Sequence, residues 1–233
     1  MTADARSFDN YLDNAKQLEL LTQYSDLIRM YHRSLDLMSD RAVATLDEKL
    51  REGLCYAQML RRYPELLQVD DTLNDNALNK DNTQRVVLDL GSGVGLPGIP
   101  LAISCPGLEV ILVERRRKRA TFLQIVLSKL GLENAMLVAE DVRNFQGEQV
   151  HCVTAQAVGQ FLDSYRLTQH LHAERVSLIS RKGNSYQAEV TTLQETLGMA
   201  TGIIEPPVVR ELALNEHATL VALNLTGGIP CPS

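Results

Sequence analysis

The chain has 233 residues, of which 29 are acidic and 23 basic, so its formal net charge is −6. This charge argues against a protein that coats nucleic acid through its bulk charge, but it is compatible with a local basic patch. No apolar run is long enough to span a bilayer, and the first residues lack the apolar stretch of a signal peptide. Four scattered cysteines without a CxxC pair indicate reduced thiols, so we expect a cytoplasmic protein with no metal site.

The N-terminal part is predicted to be helical. Apolar residues at helical spacing predict one helix from Phe8 to about His32 and a second from Val43 to about Arg62. These helices would form an N-terminal cap of residues 1–68. Residues 69–84 are dense in Asp and Asn and have no periodicity, so they predict a flexible linker before a domain of residues 85–233.

From Val86 onward, predicted strands alternate with predicted helices, which is typical of a parallel sheet covered by helices on both faces. The predicted strands are Val86–Leu90, Glu109–Glu114, Ala135–Ala139, Val150–Gln156, Val176–Arg181, Gly202–Val209 and Thr219–Leu225. The predicted helices between them are Ile99–Ser104, Arg117–Leu130, Phe161–Leu171 and Tyr186–Leu197. The expected fold class is therefore α/β, with a seven-stranded sheet and an N-terminal helical extension.

The stretch VVLDLGSGVGLPGIP, from Val86 to Pro100, carries the strongest functional signal. A buried strand ends in closely spaced glycines and a helix start, where a ligand can approach the backbone. The stretch lacks the Lys-Ser/Thr pair of a P-loop, and Pro97 would interrupt a dinucleotide-binding helix. An acid ahead of the glycines suits a ligand with a cationic amine, such as S-adenosylmethionine; the alternative is a turn without a ligand. The predicted cofactor-binding residues here are Asp89, Gly91, Ser92, Gly93, Gly95, Leu96 and Pro97.

Glu114 ends the second predicted strand about twenty residues after the glycines, where a carboxylate accepts hydrogen bonds from ribose hydroxyls. Both adenosylmethionine and NAD carry such a ribose. The alternative is that Glu114 only pairs with Arg115 or Lys118.

A basic cluster follows Glu114 at once and runs from Arg115 to Arg119. It precedes a helix whose apolar face would pack on the sheet, so the cations lie at the N-terminal end of that helix. Cations there oppose the helix dipole, and contact with nucleic-acid phosphates explains them better than helix stability does. The alternative is a solvated patch.

The segment DLGSGVGLPGIPLA, from Asp89 to Ala102, resembles the first motif of the bacterial small-subunit (16S) ribosomal RNA guanine-N7 methyltransferases of the glucose-inhibited-division-protein-B type. The similarity continues through Lys118-Arg119 and Phe122-Leu123 to Asn134, and it covers about half of the chain. The resemblance implies a class I, Rossmann-like methyltransferase that uses S-adenosylmethionine and whose last strand runs antiparallel.

The resemblance also suggests roles for further residues. Asp141 and Val142 occupy the position where class I methyltransferases contact the adenine, and Gln156 stands where the family has an Arg at the entrance of the site. Lys182 matches a family Lys-Gly pair. The predicted cofactor contacts thus also include Glu114, Arg115, Asp141, Val142 and Gln156. The predicted substrate contacts are Arg116, Arg117, Lys118, Arg119 and Lys182.

The sequence therefore predicts an S-adenosylmethionine-dependent methyltransferase that acts on ribosomal RNA of the small subunit at guanine N7. Guanine N7 carries a lone pair and no proton, so no general base is needed and no catalytic residue is assigned. The expected partner is RNA, without metal or membrane, and the chain is expected to be a monomer. One alternative is a diverged S-adenosylmethionine-binding protein with a different methyl acceptor or none. Another is a nicotinamide-dependent oxidoreductase.

Overall fold

The structure, a computed structural model, describes residue 8 and residues 10–67, 85–147, 149–156, 158–201 and 207–226. The predicted linker of residues 69–84 lies outside this part. The strands are β1 (Arg85–Leu90), β2 (Leu108–Val113), β3 (Ala135–Val138), β4 (Val150–Ala155), β5 (His172–Lys182), β6 (Val208–Asn215) and β7 (Ala218–Thr226). The helices are α1 (Ala15–Tyr31), α2 (Asp40–Ala44), α3 (Leu46–Arg62), α4 (Gly98–Ser104), α5 (Arg117–Leu130), α6 (Phe161–Thr168) and α7 (Gln187–Thr201).

The seven strands form one mixed sheet in the order β3-β2-β1-β4-β5-β7-β6. β1 is central, and its sequence RVVLDL is buried at every position except the first, as a strand covered on both faces requires. β1 to β5 pair in parallel, whereas β7 is antiparallel to β5 and β6. The predicted α/β fold class, with its antiparallel last strand, is confirmed.

Several predicted boundaries were wrong. The predicted helix Val43–Arg62 is divided into α2 and α3, and β5 begins at His172 rather than at Val176. α1 begins at Ala15 rather than at Phe8, because the side chain of Asn14 caps the helix by accepting a hydrogen bond from the Gln17 backbone N–H at 3.0 Å. The predicted strand Gly202–Val209 overlaps β6, which runs from Val208 to Asn215 and so continues past the predicted end, and residues 202–206 lie outside the described residues. β6 lies at the edge of the sheet, where its half-exposed residues give only a weak apolar signal.

The N-terminal helices and the sheet share one hydrophobic core. Tyr24 and Ile28 of α1 and Leu54 of α3 belong to the same buried cluster as Val87 of β1 and Leu112 of β2. A second cluster on the opposite face joins the sheet to α6 and α7. The predicted boundary at residue 68 therefore separates segments that pack directly against each other. Among the described residues, no helix has the length and apolarity to cross a membrane.

We expect Gly98→Ala to lower the free energy of unfolding by about 1–3 kcal/mol, because overpacking strains a dense core. An added Cβ would clash with Leu112 Cδ2 and would lie 2.7 Å from Asp89 Oδ2. The control is Gly183→Ala, whose Cβ would meet no atom within 4 Å. Chemical denaturation measures both. Equal stability of the two variants would contradict the packing described here.

Candidate cofactor site

A cavity of about 560 Å³ opens at the carboxyl edge of β1 to β4, a size typical of small-molecule sites. The strand order reverses at β1, which lies between β2 and β4, and ligands of open α/β sheets bind at such a point. The cavity is lined by Leu90, Gly91, Val113, Glu114, Arg115, Arg116, Arg119, Glu140, Asp141, Val142, Arg143, Gln156, Val158 and Leu167.

The turn after β1 holds its glycines in a conformation that other residues rarely adopt. Gly91 and Gly93 have φ angles of 70° and 61°. Ser92 is buried between them: its Oγ donates to the Asp89 carbonyl at 2.8 Å, and its N–H donates to the Val113 carbonyl at 2.9 Å. The turn thereby leaves Gly91 exposed at the cavity wall, where a ligand can approach the backbone.

Glu114 joins this turn to the start of α5. Its carboxylate accepts hydrogen bonds from the backbone N–H of Gly93 at 3.0 Å and of Arg116 at 2.7 Å, one on each oxygen. A carboxylate has about four acceptor positions, so each oxygen keeps one for a further donor. Since Glu114 also lines the cavity, it fits the two hydroxyls of an adenosylmethionine ribose.

Asp89 lies behind the turn and does not line the cavity. It is 1% exposed, and its carboxylate accepts hydrogen bonds from Gly98 N–H at 3.1 Å and from Thr154 Oγ1 at 3.0 Å. Burial raises its pKa to about 6, although these hydrogen bonds oppose the shift. The structure gives Asp89 an internal role in fixing α4 against β4. Its predicted contact with the amine of the cofactor stays a prediction.

Three other predicted cofactor residues also lie below the cavity surface. Gly95, Leu96 and Pro97 are buried. Leu96 Cδ2 lies against Gly53 of α3, and a Cβ on Gly95 would meet Leu123 of α5 at 3.0 Å. These residues pack the turn onto its neighbouring helices, and their contact with a cofactor stays a prediction.

Asp141 and Val142 line the cavity after β3, and their predicted contact with the adenine stays a prediction. Asp141 also forms an ion pair with Arg143 that was not predicted. Arg143 Nη2 donates to Asp141 Oδ2 at 2.7 Å, and Arg143 Nε donates to Asp141 Oδ1 at 2.9 Å. This guanidinium holds the pKa of the Asp141 carboxyl well below its usual range. A basic residue two positions after the predicted acid was the available signal in the sequence.

The basic cluster divides at the cavity rim. Arg115, Arg116 and Arg119 line the cavity, whereas Arg117 and Lys118 are exposed outside it. Arg115 Nη1 lies 3.8 Å from Asp141 Oδ2, whereas the first turn of α5 contains no acidic residue beside Arg117 and Lys118.

Two predicted residues at the ends of β4 and β5 differ in their placement. Gln156 lines the cavity. Lys182 is 7% exposed, and its Nζ donates to Glu189 Oε2 at 2.6 Å and to the Gly159 carbonyl at 3.1 Å. Lys182 thus has internal partners, and its predicted contact with the substrate stays a prediction.

Comparison with known proteins decides the family. The model of the GidB family, rRNA small subunit methyltransferase G, matches residues 17–209. The chain belongs to this family. It is therefore an S-adenosylmethionine-dependent rRNA methyltransferase, as predicted, and the oxidoreductase alternative is not favoured.

The family contains relatives that align along most of the chain. "Ribosomal RNA small subunit methyltransferase G" of Ralstonia nicotianae is 37% identical over 95% of this chain and 93% of its own. The protein of the same name from Cupriavidus metallidurans is 31% identical over 88% of this chain and 86% of its own. The match to that of Chromobacterium violaceum, at 35% identity, spans 59% of this chain and 65% of that protein. Among solved structures, an rRNA methylase from Streptococcus thermophilus is 17% identical over 71% of this chain and 94% of its own, with a TM-score of 0.45.

Within the described ranges, no group of three or more His, Cys, Asp or Glu side chains has the arrangement of a metal site. Cys55, Cys105 and Cys152 are buried free thiols there, and Cys231 lies outside the described residues.

We expect Glu114→Gln to weaken the affinity for adenosylmethionine at least about tenfold, because the amide loses charge and one acceptor position needed by the ribose. The control is Glu140→Gln, an exposed residue of the same cavity that undergoes the same change of charge. Its dissociation constant should stay within about twofold of the wild type. Isothermal titration measures both, and similar losses in the two variants would argue against a ribose contact by Glu114.

Asp89 should make stability depend on pH. Because its folded pKa, about 6, is raised above the ordinary value of 3.8, the folded state binds more protons than the unfolded state between these values. Its contribution to stability is full below about pH 4 and is lost as the pH rises through about 6. Between pH 4 and pH 7, the wild type should therefore lose roughly 1–3 kcal/mol of unfolding free energy relative to the Asp89→Asn variant, which has no carboxyl group at this position. A difference independent of pH would show that Asp89 titrates normally.

Proposed function

We propose that this chain transfers the methyl group of S-adenosylmethionine to N7 of a guanine in small-subunit ribosomal RNA. The observation that carries the proposal is the placement of the Glu114 carboxylate in a cavity rimmed by Arg115, Arg116 and Arg119, in a chain of the GidB family. The relatives named above as small-subunit rRNA methyltransferases support the same substrate class.

The cavity residues divide the recognition of the cofactor among them. Glu114 would accept hydrogen bonds from the ribose hydroxyls, and Gly91 would let the cofactor approach the backbone closely. Asp141, held in place by Arg143, would accept a hydrogen bond from the adenine amino group through a free acceptor position, with buried Val142 beside it. When bound, the cofactor supplies an electrophilic methyl on a sulfonium, so that a bond to guanine N7 forms as the S–C bond breaks.

The chain's own contribution to the reaction would be positioning. Guanine N7 has a free lone pair, so no side chain has to remove a proton before transfer. Holding the two reactants in line and away from water is sufficient to supply a large part of the rate.

The exposed cations at the start of α5 fit the phosphates of an RNA substrate. A helix N-terminus favours negative charge, yet Arg117 and Lys118 bring two positive charges there with no acid in the first turn. A phosphate between them would be stabilised by the side chains and by the helix dipole together. Arg116 and Arg119 would connect this surface to the cavity. We further propose that the chain acts as a cytoplasmic monomer.

A methyl-transfer assay tests the function directly. Small subunits and naked rRNA from cells lacking the protein are incubated with the purified chain and methyl-labelled adenosylmethionine, and the labelled nucleoside is identified. Label on N7-methylguanosine in the rRNA is the expected result. Label on another nucleotide would contradict the guanine-N7 assignment, and no transfer at saturating cofactor would indicate a binding protein without an acceptor.

We expect Arg117→Ala combined with Lys118→Ala to weaken RNA binding and to reduce the slope of log affinity against log salt by about 1 to 2, because two phosphate contacts are lost. Affinity for adenosylmethionine should not change, since neither residue lines the cavity. The control is Lys129→Ala, an exposed cation in the last turn of the same helix. A salt slope unchanged in the double variant would exclude this surface as the RNA contact.

A further inference from the structure

Beyond the cofactor cavity, an ion pair joins α3 to the end of β5. Arg181 Nε lies 3.3 Å from Glu52 Oε2. The exposed fraction of the side chain is 39% for Arg181 and 21% for Glu52.

Strand register places this ion pair next to the cavity. Ser180 of β5 pairs with Ala155 of β4, so Arg181 lies beside Gln156, which lines the cavity. Side chains alternate along a strand, so Arg181 lies on the same face as Ile179, whose side chain shares the core with α3. Glu52 and Arg181 therefore stand at the carboxyl edge of the sheet, one strand beyond the cavity wall.

The order of the strand ends gives the direction from which a methyl acceptor must come. The adenine is assigned to the segment after β3 and the ribose to the end of β2, so the remainder of the cofactor extends toward β1 and β4. The next strand in the sheet is β5. An acceptor that approaches the methyl group without displacing the adenosine would thus meet the end of β5 and the facing part of α3.

We propose that Glu52 and Arg181 recognise the Watson–Crick edge of the target guanine. The inference rests on the proposed function. With N7 directed at the methyl group, the base turns N1–H and the 2-amino group away from the cofactor, and O6 lies between the two edges. The Glu52 carboxylate accepts from N1–H and the 2-amino group, and the Arg181 guanidinium donates to O6. Adenine offers a donor in place of O6 and an unprotonated N1, so this pair rejects it.

The ion pair between Glu52 and Arg181, which forms in the absence of substrate, supports this assignment in two ways. It holds both side chains in a partly exposed position, so neither has to be withdrawn from a buried environment to meet the base. The opposite charges also match the donor and acceptor order of guanine, and bidentate contacts of this kind discriminate against the wrong base.

The test compares guanine with inosine, which lacks only the 2-amino group, at the mapped target nucleotide of reconstituted small subunits. Wild type should prefer guanine about tenfold or more in kcat/KM, and Glu52→Gln should lower kcat/KM on guanine and bring this preference close to one. Arg181→Gln should lower kcat/KM on both bases alike, because both carry O6. The dissociation constant of adenosylmethionine should stay within about twofold in both variants, which also reports correct folding.

Glu65→Gln is the matched control. Glu65 forms an ion pair with Arg210 at 2.9 Å, with exposures of 30% and 35%, and it likewise joins the N-terminal region to the sheet. This variant should keep the wild-type guanine preference. If Glu52→Gln lowers kcat/KM on guanine and inosine equally, or leaves both unchanged, the recognition role is overturned while the methyltransferase function stands. A wild-type chain that methylates no guanine overturns both proposals.

Discussion

The cofactor cavity depends on one buried carboxylate. The Glu114 side chain is buried, with 4% of the residue exposed. One carboxylate oxygen accepts a hydrogen bond from Gly93 N–H in the glycine turn, and the other accepts one from Arg116 N–H directly before α5. Hydrogen bonds to an ionised acceptor are stronger than neutral ones, so this one side chain sets the distance between two walls of the cavity. The same group then remains available for the cofactor. The same carboxylate therefore fixes the shape of the site and offers acceptor positions to a ribose.

The N-terminal helices contribute to that geometry as well. The Tyr24 hydroxyl of α1 donates to the Val94 carbonyl at 2.8 Å, and Gly53 of α3 packs against Leu96, so both helices support the turn from below. At the other end of α4, Arg61 Nη2 donates to the Ser104 carbonyl at 2.6 Å. These contacts join segments far apart in the chain. They explain why a region that looked like a separate cap from its sequence is part of the same core.

Most of the sheet was predictable because its strands are short apolar runs bounded by glycine or polar residues, and α5 was predicted with its observed limits. The position of the site was predictable from the glycines at the end of β1. Spacing did not reveal which of these residues line the cavity: Gly91 does, whereas Gly95 packs against α5. The internal partners of Asp89 and Lys182 come from β4 and α7, and no local pattern in the sequence connects such distant residues.

The central claim is that Glu114 holds the ribose of the cofactor at the carboxyl edge of β2. A crystal structure of the chain with S-adenosylhomocysteine, the demethylated product, tests it most directly. The account predicts both ribose hydroxyl oxygens within about 3 Å of the Glu114 carboxylate oxygens, the distance of a charge-assisted hydrogen bond. A sugar bound away from Glu114, or no bound ligand at millimolar concentration, would contradict it.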